Sequence, residues 1–316
     1  MNKLAICFSG QGSQYQNMGL DYIESLKTYE DMANIASNIL GFNVCDVLKD
    51  EKLINQTKYT QPLVALKSIF GYDMISKLNP NVQALLGFSL GEYSAYYASK
   101  VFDFEQLLVI IAKRAEFMDQ DAQKTKGLMA AVIGLEKDQV KSVCLSLQDQ
   151  GVIDIANDNS PNQYVISGEE ALVLKAISLL KEAGARRVIE LKTSGAFHTN
   201  LMESASKKLI LEMNNNPKLT PSKSNIAIYM NLDAKVLNDE DILKHIEKQM
   251  INEVKFRESI LNMKKDGITH ILEIGPGKVL TNLIKKIEPE IEVINFDQIE
   301  SYETVKGWLK IHGFTK

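Results

Sequence analysis

The chain has 316 residues, of which 45% are hydrophobic and 24% are charged. This composition is typical of a globular protein. The formal net charge of −4 gives an overall field that repels nucleic acid and does not attract an anionic membrane surface. No segment approaches the roughly 20 apolar residues of a membrane span.

Targeting and redox signals are weak in this sequence. The apolar run at residues 4–8 is too short to act as a signal peptide. Three cysteines, Cys7, Cys45 and Cys144, are odd in number and irregularly spaced, which fits neither a disulfide framework nor a zinc site. We therefore expect a cytoplasmic protein.

Two short apolar runs in the first third of the chain predict buried parallel strands. The first, Leu4 to Phe8, ends at the glycine-rich residues 10–12, and the second, Gln83 to Gly87, runs into a sharp turn. Helices are expected after each strand, and Asp103 is a suitable N-cap for a helix that continues to about residue 119. This order of elements predicts a doubly wound α/β sheet.

The pattern changes near residue 128. Apolar spacing now predicts strand, helix, strand, strand, helix and strand, at residues 128–133, 136–147, 152–156, 163–167, 169–182 and 187–191. This βαββαβ order is that of a ferredoxin-like fold.

Alternating elements return in the last third of the chain. Helices and strands are predicted there at residues 199–214, 227–230, 240–250, 256–265 and 270–274, before a last helix that follows Gly275-Pro276-Gly277. The sequence thus predicts a large α/β domain of residues 1–125 and 199–316. A small α+β domain at residues 126–198 interrupts it.

The hexapeptide GFSLGE at residues 87–92 has the form of a nucleophile elbow, a strand that turns sharply into a helix with a serine at the turn. Gly87 and Gly91 remove Cβ atoms that would collide where strand and helix meet. Ser89 would then project above the sheet beside the free backbone N–H of Leu90, a donor for an oxyanion. An ordinary turn is the alternative, because this pattern also occurs by chance.

A serine needs a base at neutral pH, and the chain has four histidines. His245 lies on an evidently polar helix, His312 lies near the C-terminus, and His270 opens an apolar strand. His198 follows a strand exit, where open α/β sheets place their sites. We therefore select His198 as the base, although a lone histidine is more often structural.

The loop Gly10-Gln11-Gly12 resembles a nucleotide-binding loop but lacks the third glycine of a dinucleotide fingerprint and the lysine of a P-loop. We interpret it instead as a loop that presents the Gln11 backbone N–H as a second oxyanion donor. Arg114 is either a surface arginine or a guanidinium that faces the serine and suits a carboxylate-bearing acyl group.

Taken together, these motifs resemble the malonyl-CoA:acyl-carrier-protein transacylases over nearly the whole chain. The matching segments are GQGSQ at 10–14, GFSLGE at 87–92, Lys113-Arg114, ANDNSP at 156–161, GAFH at 195–198, Gln249 with Val254-Lys255-Phe256, and EIGPG at 273–277. The resemblance implies a hydrolase-like large domain with a parallel sheet and an inserted ferredoxin-like small domain. It also implies a site in the cleft between them.

The same resemblance implies roles for individual residues. Ser89 would be the nucleophile, His198 its base, and Gln11 and Leu90 the oxyanion donors. The backbone carbonyl of Gln249 would orient the histidine, and Arg114 would pair with the malonyl carboxylate. Phe197 would mark the malonyl-selective pattern. The chain departs from the family where Phe88 replaces a common histidine, and where Ser9 and Glu253 replace common prolines.

The predicted reaction transfers malonyl from malonyl-CoA to the phosphopantetheine thiol of an acyl carrier protein, for fatty-acid or polyketide synthesis. Coenzyme A would enter as part of the substrate, with no metal or other cofactor. Malonyl-CoA and the carrier protein would be the partners of a monomer, without nucleic acid or membrane. The alternatives are a hydrolase that clears stalled acyl groups, which the arginine disfavours, and a non-catalytic docking subunit, which Ser89 and His198 disfavour.

Overall fold

The computed structural model describes residues 2–316. Its strands are β1 Leu4–Phe8, β2 Val82–Gly87, β3 Gly127–Ile133, β4 Ile153–Ser160, β5 Gln163–Glu169, β6 Arg187–Glu190, β7 Ala227–Tyr229, β8 His270–Ile274 and β9 Glu292–Phe296. Its first helices are α1 Leu20–Ser25, α2 Lys27–Leu40, α3 Val44–Lys49, α4 Thr57–Ser76, α5 Gly91–Ala98, α6 Phe104–Lys124 and α7 Lys137–Leu145. The others are α8 Glu170–Glu182, α9 Glu203–Asn215, α10 Ile242–Gln249, α11 Phe256–Lys265, α12 Val279–Ile287 and α13 Tyr302–Ile311.

Five strands form a parallel sheet in the order β7-β2-β1-β8-β9. Two of the three inner strands, β1 and β8, are buried along their whole length, as expected where helices cover both faces of a parallel sheet. Because all strands point the same way, the loops after β1, β2, β7 and β8 meet at one edge. Three of the four supply predicted site residues or the groups that hold them.

The second sheet is antiparallel, in the order β4-β5-β3-β6. Helices α7 and α8 cover one face of it, where Val132 and Ile166 from the strands form a core with Val140 and Val173 from the helices. Its βαββαβ connectivity and strand order are those of the predicted ferredoxin-like fold. The structure therefore confirms the predicted fold class, a parallel α/β sheet with a separate antiparallel α+β unit.

The antiparallel sheet is fastened to the rest of the molecule beside α11. The Asp158 N–H donates to the Val254 carbonyl at 3.0 Å. The buried Asp158 carboxylate pairs with Arg257 at 3.1 Å, and Lys137 bridges Asp158 and Glu253 at 3.2 and 2.6 Å. Glu253, one of the departures from the family pattern, thus belongs to an ion-pair network that joins the two sheets.

One prediction about the C-terminal region is wrong, because the helix after Gly275-Pro276-Gly277 is not the last element. Strand β9 and helix α13 follow it. β9 pairs only with β8 at the sheet edge, and four of its five residues are at least partly exposed, so it lacks the continuous apolar run of an inner strand. The predicted domain division at residues 126–198 stays a prediction. Within residues 2–316 no helix is long and apolar enough to cross a membrane.

The predicted N-cap of α6 generates a stability test. The Asp103 carboxylate accepts the Gln106 backbone N–H at 2.8 Å, and the Gln106 side chain accepts the Asp103 N–H at 2.8 Å. We expect Asp103→Ala to lower the free energy of unfolding by about 1 kcal/mol, because the Gln106 N–H of the first turn loses its acceptor. The urea midpoint measures this, and Asp103→Asn, which keeps an oxygen acceptor, is the control. Equal losses in both variants would contradict the cap.

Candidate active site

Ser89 lies on the turn between β2 and α5, in a left-handed backbone conformation with φ of 51°. The structure leaves no room for a side chain at the neighbouring residues Gly87 and Gly91. A Cβ on Gly87 would lie 1.9 Å from the Gly91 carbonyl carbon, and one on Gly91 would lie 2.2 Å from the Phe8 carbonyl oxygen. The predicted reason for both glycines is thus confirmed, and the turn raises the Ser89 side chain above the sheet edge.

The structure places Ser89, His198 and Gln249 in one hydrogen-bonded row. Ser89 Oγ lies 2.8 Å from His198 Nε2, and His198 Nδ1 lies 2.9 Å from the Gln249 carbonyl oxygen. Since a carbonyl only accepts, Nδ1 carries the proton and Nε2 is left to accept from the serine hydroxyl. This arrangement can deprotonate Ser89 without any carboxylate in the row.

Burial sets the protonation state of His198. Its side chain is buried in the cleft, and the backbone has φ of 61°, with the N–H bonded to the Met250 carbonyl at 3.2 Å. Burial, followed by the nearby charge of Arg114, lowers the pKa of His198 to about 4. The imidazole is therefore neutral, as a base must be, throughout the physiological pH range.

The two backbone N–H groups predicted to hold an oxyanion are free. Among the hydrogen bonds of residues 2–316, neither the Gln11 N–H nor the Leu90 N–H has an acceptor. Gly10 allows the first loop to approach the elbow, since a Cβ there would lie 2.3 Å from the Phe88 carbonyl oxygen. The cavity beside Ser89 is lined by the Gln11 loop on one side, so a developing negative charge there would find unused donors.

Arg114 is buried, with 1% of its surface exposed, and it lines the same cavity as Ser89. Its two terminal nitrogens donate to neutral amide oxygens, Nη1 to Gln61 at 2.7 Å and Nη2 to Gln249 at 3.3 Å. The Tyr93 ring lies under the guanidinium at 5.3 Å. No carboxylate of the described chain forms a salt bridge with Arg114, and its Nε has no acceptor there. The surface interpretation of Arg114 is therefore wrong.

A row of side-chain amides and hydroxyls links Arg114 to the oxyanion loop and continues beyond it. Gln61, which accepts from Arg114, donates to Gln11 Oε1 at 3.3 Å, and Gln11 Nε2 donates to Thr57 Oγ1 at 3.2 Å. Thr57 Oγ1 in turn lies 2.7 Å from Ser194 Oγ. These hydrogen bonds fix the position of the guanidinium relative to the loop, and all the groups that join the two are neutral.

Sequence reasoning missed two residues beneath the elbow, Asn231 and Glu92. Asn231 Oδ1 accepts the Ser89 N–H at 2.7 Å, and its Nδ2 donates to the Gly87 carbonyl at 2.7 Å. Glu92 accepts from the Asn231 backbone N–H and from Gln249 Nε2, and burial raises its pKa to about 8. Asn231 follows strand β7, so its position at a strand exit was the available signal.

The cavity has a volume of about 380 Å³. Phe197 lines it next to His198, with Met118 and Met129 on the apolar side. A second cavity of about 370 Å³ also touches His198 and is lined by Lys137, Lys141 and Asn252 among others. The histidine therefore lines both cavities.

Two other departures from the family pattern have local partners. Phe88 packs edge-on against Phe256, with ring centroids 5.3 Å apart, and Ser9 Oγ donates to the buried Glu273 carboxylate at 3.4 Å. The description of the His245 helix as evidently polar is wrong, because His245 lies on its buried face. Burial lowers the pKa of His245, and it does not line the cavity at Ser89.

A serine on a strand-to-helix turn, bonded to a histidine and flanked by free backbone N–H groups, defines an acyl-transfer enzyme. Comparison with known proteins agrees. The acyl transferase domain family matches residues 6–306. Relatives named malonyl CoA-acyl carrier protein transacylase are 34% identical over 98% of this chain and 99% of theirs in Staphylococcus aureus, and 32% over 98% and 100% in Haemophilus influenzae.

Solved structures give the same result. The malonyl transacylase of Streptococcus pneumoniae superposes with a TM-score of 0.89 at 36% identity, covering 98% of this chain and all of that one. A transacylase solved with the holo acyl-carrier protein of a type II polyketide synthase gives 0.91 at 29% identity, over 96% and 98%. The chain belongs to the acyl transferase family and, within it, to the malonyl CoA-acyl carrier protein transacylases.

The buried histidine gives a pH prediction. A serine-directed sulfonyl fluoride should modify Ser89, and His198→Ala should prevent it. Because only neutral His198 accepts the serine proton and its pKa is lowered to about 4, the modification rate should stay constant as pH falls through 6.5, the ordinary histidine value, and decline only below about 5. The rate constant against pH measures this. A midpoint near 6.5 would contradict the burial argument.

Proposed function

We propose that this protein transfers the malonyl group from malonyl-CoA to the phosphopantetheine thiol of an acyl carrier protein. The observation that carries the proposal is Arg114, a buried cation beside Ser89 with a free Nε donor and no carboxylate partner among residues 2–316. The acyl group that completes this site is one that brings its own carboxylate. The names of the relatives, transacylases for malonyl-CoA and carrier protein, support the same substrates.

An uncharged acyl group would leave the buried Arg114 guanidinium without an ionic partner. A guanidinium stays protonated even when burial lowers its pKa, so the free site holds a buried charge that has no salt-bridge partner among residues 2–316. A malonyl carboxylate supplies the missing partner in the fork geometry that arginine favours. Loss of one partner from such a buried pair costs about 2–5 kcal/mol, which corresponds to a factor of about 30 to several thousand.

In the first half-reaction, His198 Nε2 accepts the proton of Ser89 Oγ as the oxygen attacks the thioester carbonyl carbon. The Gln11 and Leu90 N–H groups donate to the oxyanion that forms, and the Gln249 carbonyl holds the imidazolium through Nδ1. When the carbon–sulfur bond breaks, the proton passes from His198 to the coenzyme A sulfur. Malonyl remains as an ester on Ser89.

In the second half-reaction, the thiol of the carrier protein's phosphopantetheine gives its proton to His198 and attacks the ester carbon. The carbon–oxygen bond breaks, and Ser89 recovers the proton. The proposed route uses coenzyme A only as part of the substrate and requires no metal or other cofactor. Phe197, on the wall of the cavity, would limit the space beside the malonyl methylene.

We also propose a compartment, an oligomeric state and a pathway for the enzyme. We place the enzyme in the cytoplasm, where its three free cysteines would stay reduced, and we expect a monomer. The relatives include a protein solved with a polyketide carrier protein, and the residues of the site serve fatty-acid and polyketide synthesis equally. The carrier protein that receives the malonyl group would therefore decide the pathway.

A covalent adduct tests the nucleophile. Native protein incubated briefly with malonyl-CoA should gain the mass of one malonyl group, and Ser89→Ala should gain none, because the ester has no oxygen to form on. Intact-mass spectrometry measures both. Release of free coenzyme A without an adduct would indicate a hydrolase, and neither adduct nor release would indicate a docking subunit.

A second variant tests the selector. Arg114→Gln should lower kcat/KM for malonyl-CoA by about 30-fold or more and leave acetyl-CoA unchanged or improved, because only malonyl loses an ionic partner. Lys113→Gln is the matched control, since Lys113 is the neighbouring cation and pairs with Glu116 at the surface. Parallel loss of both substrates in Arg114→Gln would contradict selection by the carboxylate.

A further inference from the structure

Three potential metal ligands converge at the edge of the parallel sheet opposite the active site. His270 opens β8, Glu292 opens β9 beside it, and His312 follows the last residue of α13. One ligand atom from each lies within 4.8 Å of the other two. The strands place the first two residues side by side in register, and α13 returns the third to them.

The distances within this cluster approach those of ligands around one small ion. His270 Nε2 lies 3.0 Å from His312 Nδ1 and 3.6 Å from Glu292 Oε2, and the other ring nitrogen of His312, Nε2, lies 2.9 Å from Glu292 Oε1. Two atoms bound at 2.0–2.1 Å to a tetrahedral ion lie about 3.4 Å apart. One nitrogen of His312 would leave its present partner, so an ion could bind after rotation of the His312 and Glu292 side chains and with no change in the backbone.

A second group orients His270 as a ligand. Its Nδ1 lies 2.8 Å from Thr269 Oγ1, which accepts the Lys3 backbone N–H at 3.0 Å and donates to the Lys3 carbonyl at 3.3 Å. With its own proton directed at the Lys3 carbonyl, the hydroxyl accepts from Nδ1, and the Nε2 lone pair is left facing the cluster. Metal-bound histidines are typically oriented by such a bond on the other ring nitrogen.

From this geometry we propose that His270, Glu292 and His312 form a binding site for a divalent transition-metal ion of the Zn²⁺ class. Two imidazole nitrogens and one carboxylate are ligands that such ions favour, and Mg²⁺ or Ca²⁺ would prefer a set of oxygens. His270 is buried, but half of the Glu292 side chain is exposed. Water therefore has access to the fourth ligand position.

The site would have a structural effect. The ion would join β8, β9 and the segment after α13, so binding to the folded chain alone would stabilise it. The active site lies at the other end of β8, beyond the full length of the strand, so the ion would not enter the acyl-transfer chemistry. This proposal is therefore independent of the proposed function.

The chain carries a reporter for this site. Trp308 is its single tryptophan, and its ring lies 5.6 Å from His270 and 5.0 Å from His312, with Nε1 donating to Glu292 at 2.5 Å. A paramagnetic ion such as Ni²⁺ quenches an indole at this distance. Fluorescence therefore reports binding at this cluster.

The experiment is titration of the untagged protein with Zn²⁺ by calorimetry and with Ni²⁺ by tryptophan fluorescence. The native chain should bind one Zn²⁺ with a raised melting temperature, and Ni²⁺ should quench Trp308. His312→Gln should abolish all three effects. Lys310→Gln, an exposed cation on the same helix, is the control and should bind as the native chain does.

A milder variant separates ligation from folding. Thr269→Val removes the group that orients His270 and keeps both ligand histidines, so Zn²⁺ affinity should fall by about 10–100-fold. Unchanged Zn²⁺ affinity in His312→Gln, or absence of binding to the native chain at millimolar Zn²⁺, would overturn the proposal. Equal melting temperatures of native protein with and without Zn²⁺ would also overturn it.

Discussion

The active site depends on one uncharged residue, Gln249. Its backbone carbonyl holds His198, its side-chain Nε2 donates to the Ser89 carbonyl and to Glu92, and its Oε1 accepts from Arg114. A carboxylate in the place of that carbonyl would hold the histidine equally well, but it would also lie near the guanidinium. A neutral orienting group leaves Arg114 without a salt-bridge partner among the described residues, and the guanidinium would then be available to the proposed substrate carboxylate.

The use of a neutral carbonyl to orient His198 also explains the low basicity of this histidine. In the absence of a neighbouring anion, burial and the charge of Arg114 both disfavour the imidazolium, and the pKa falls to about 4. A bound malonyl carboxylate would offset the Arg114 charge and restore part of that basicity. In the proposed reaction, substrate binding and activation of the base would therefore be coupled through electrostatics.

The strained backbone of the two reacting residues is stabilised by hydrogen bonds to neighbours that take no part in the chemistry. Ser89 and His198 both have positive φ values, a conformation that costs about 1–3 kcal/mol at a residue other than glycine. Asn231 accepts the Ser89 N–H, and the Met250 carbonyl accepts the His198 N–H. These bonds come from loops after β7 and α10, so the geometry of the site requires the finished sheet.

The sequence by itself determined the elements whose signal is local: the strand and turn around Ser89, the capped start of α6 at Asp103, and the βαββαβ order. Its motifs also determined the family, because their order along the chain carries that information. Only the tertiary structure decided that Arg114 is buried without a carboxylate partner among residues 2–316 and that Asn231 lies under the elbow. These features depend on contacts between residues more than 50 positions apart, and such contacts leave no periodicity in the chain. Edge strand β9 was missed for a related reason, since partial exposure gives it no continuous apolar run to recognise.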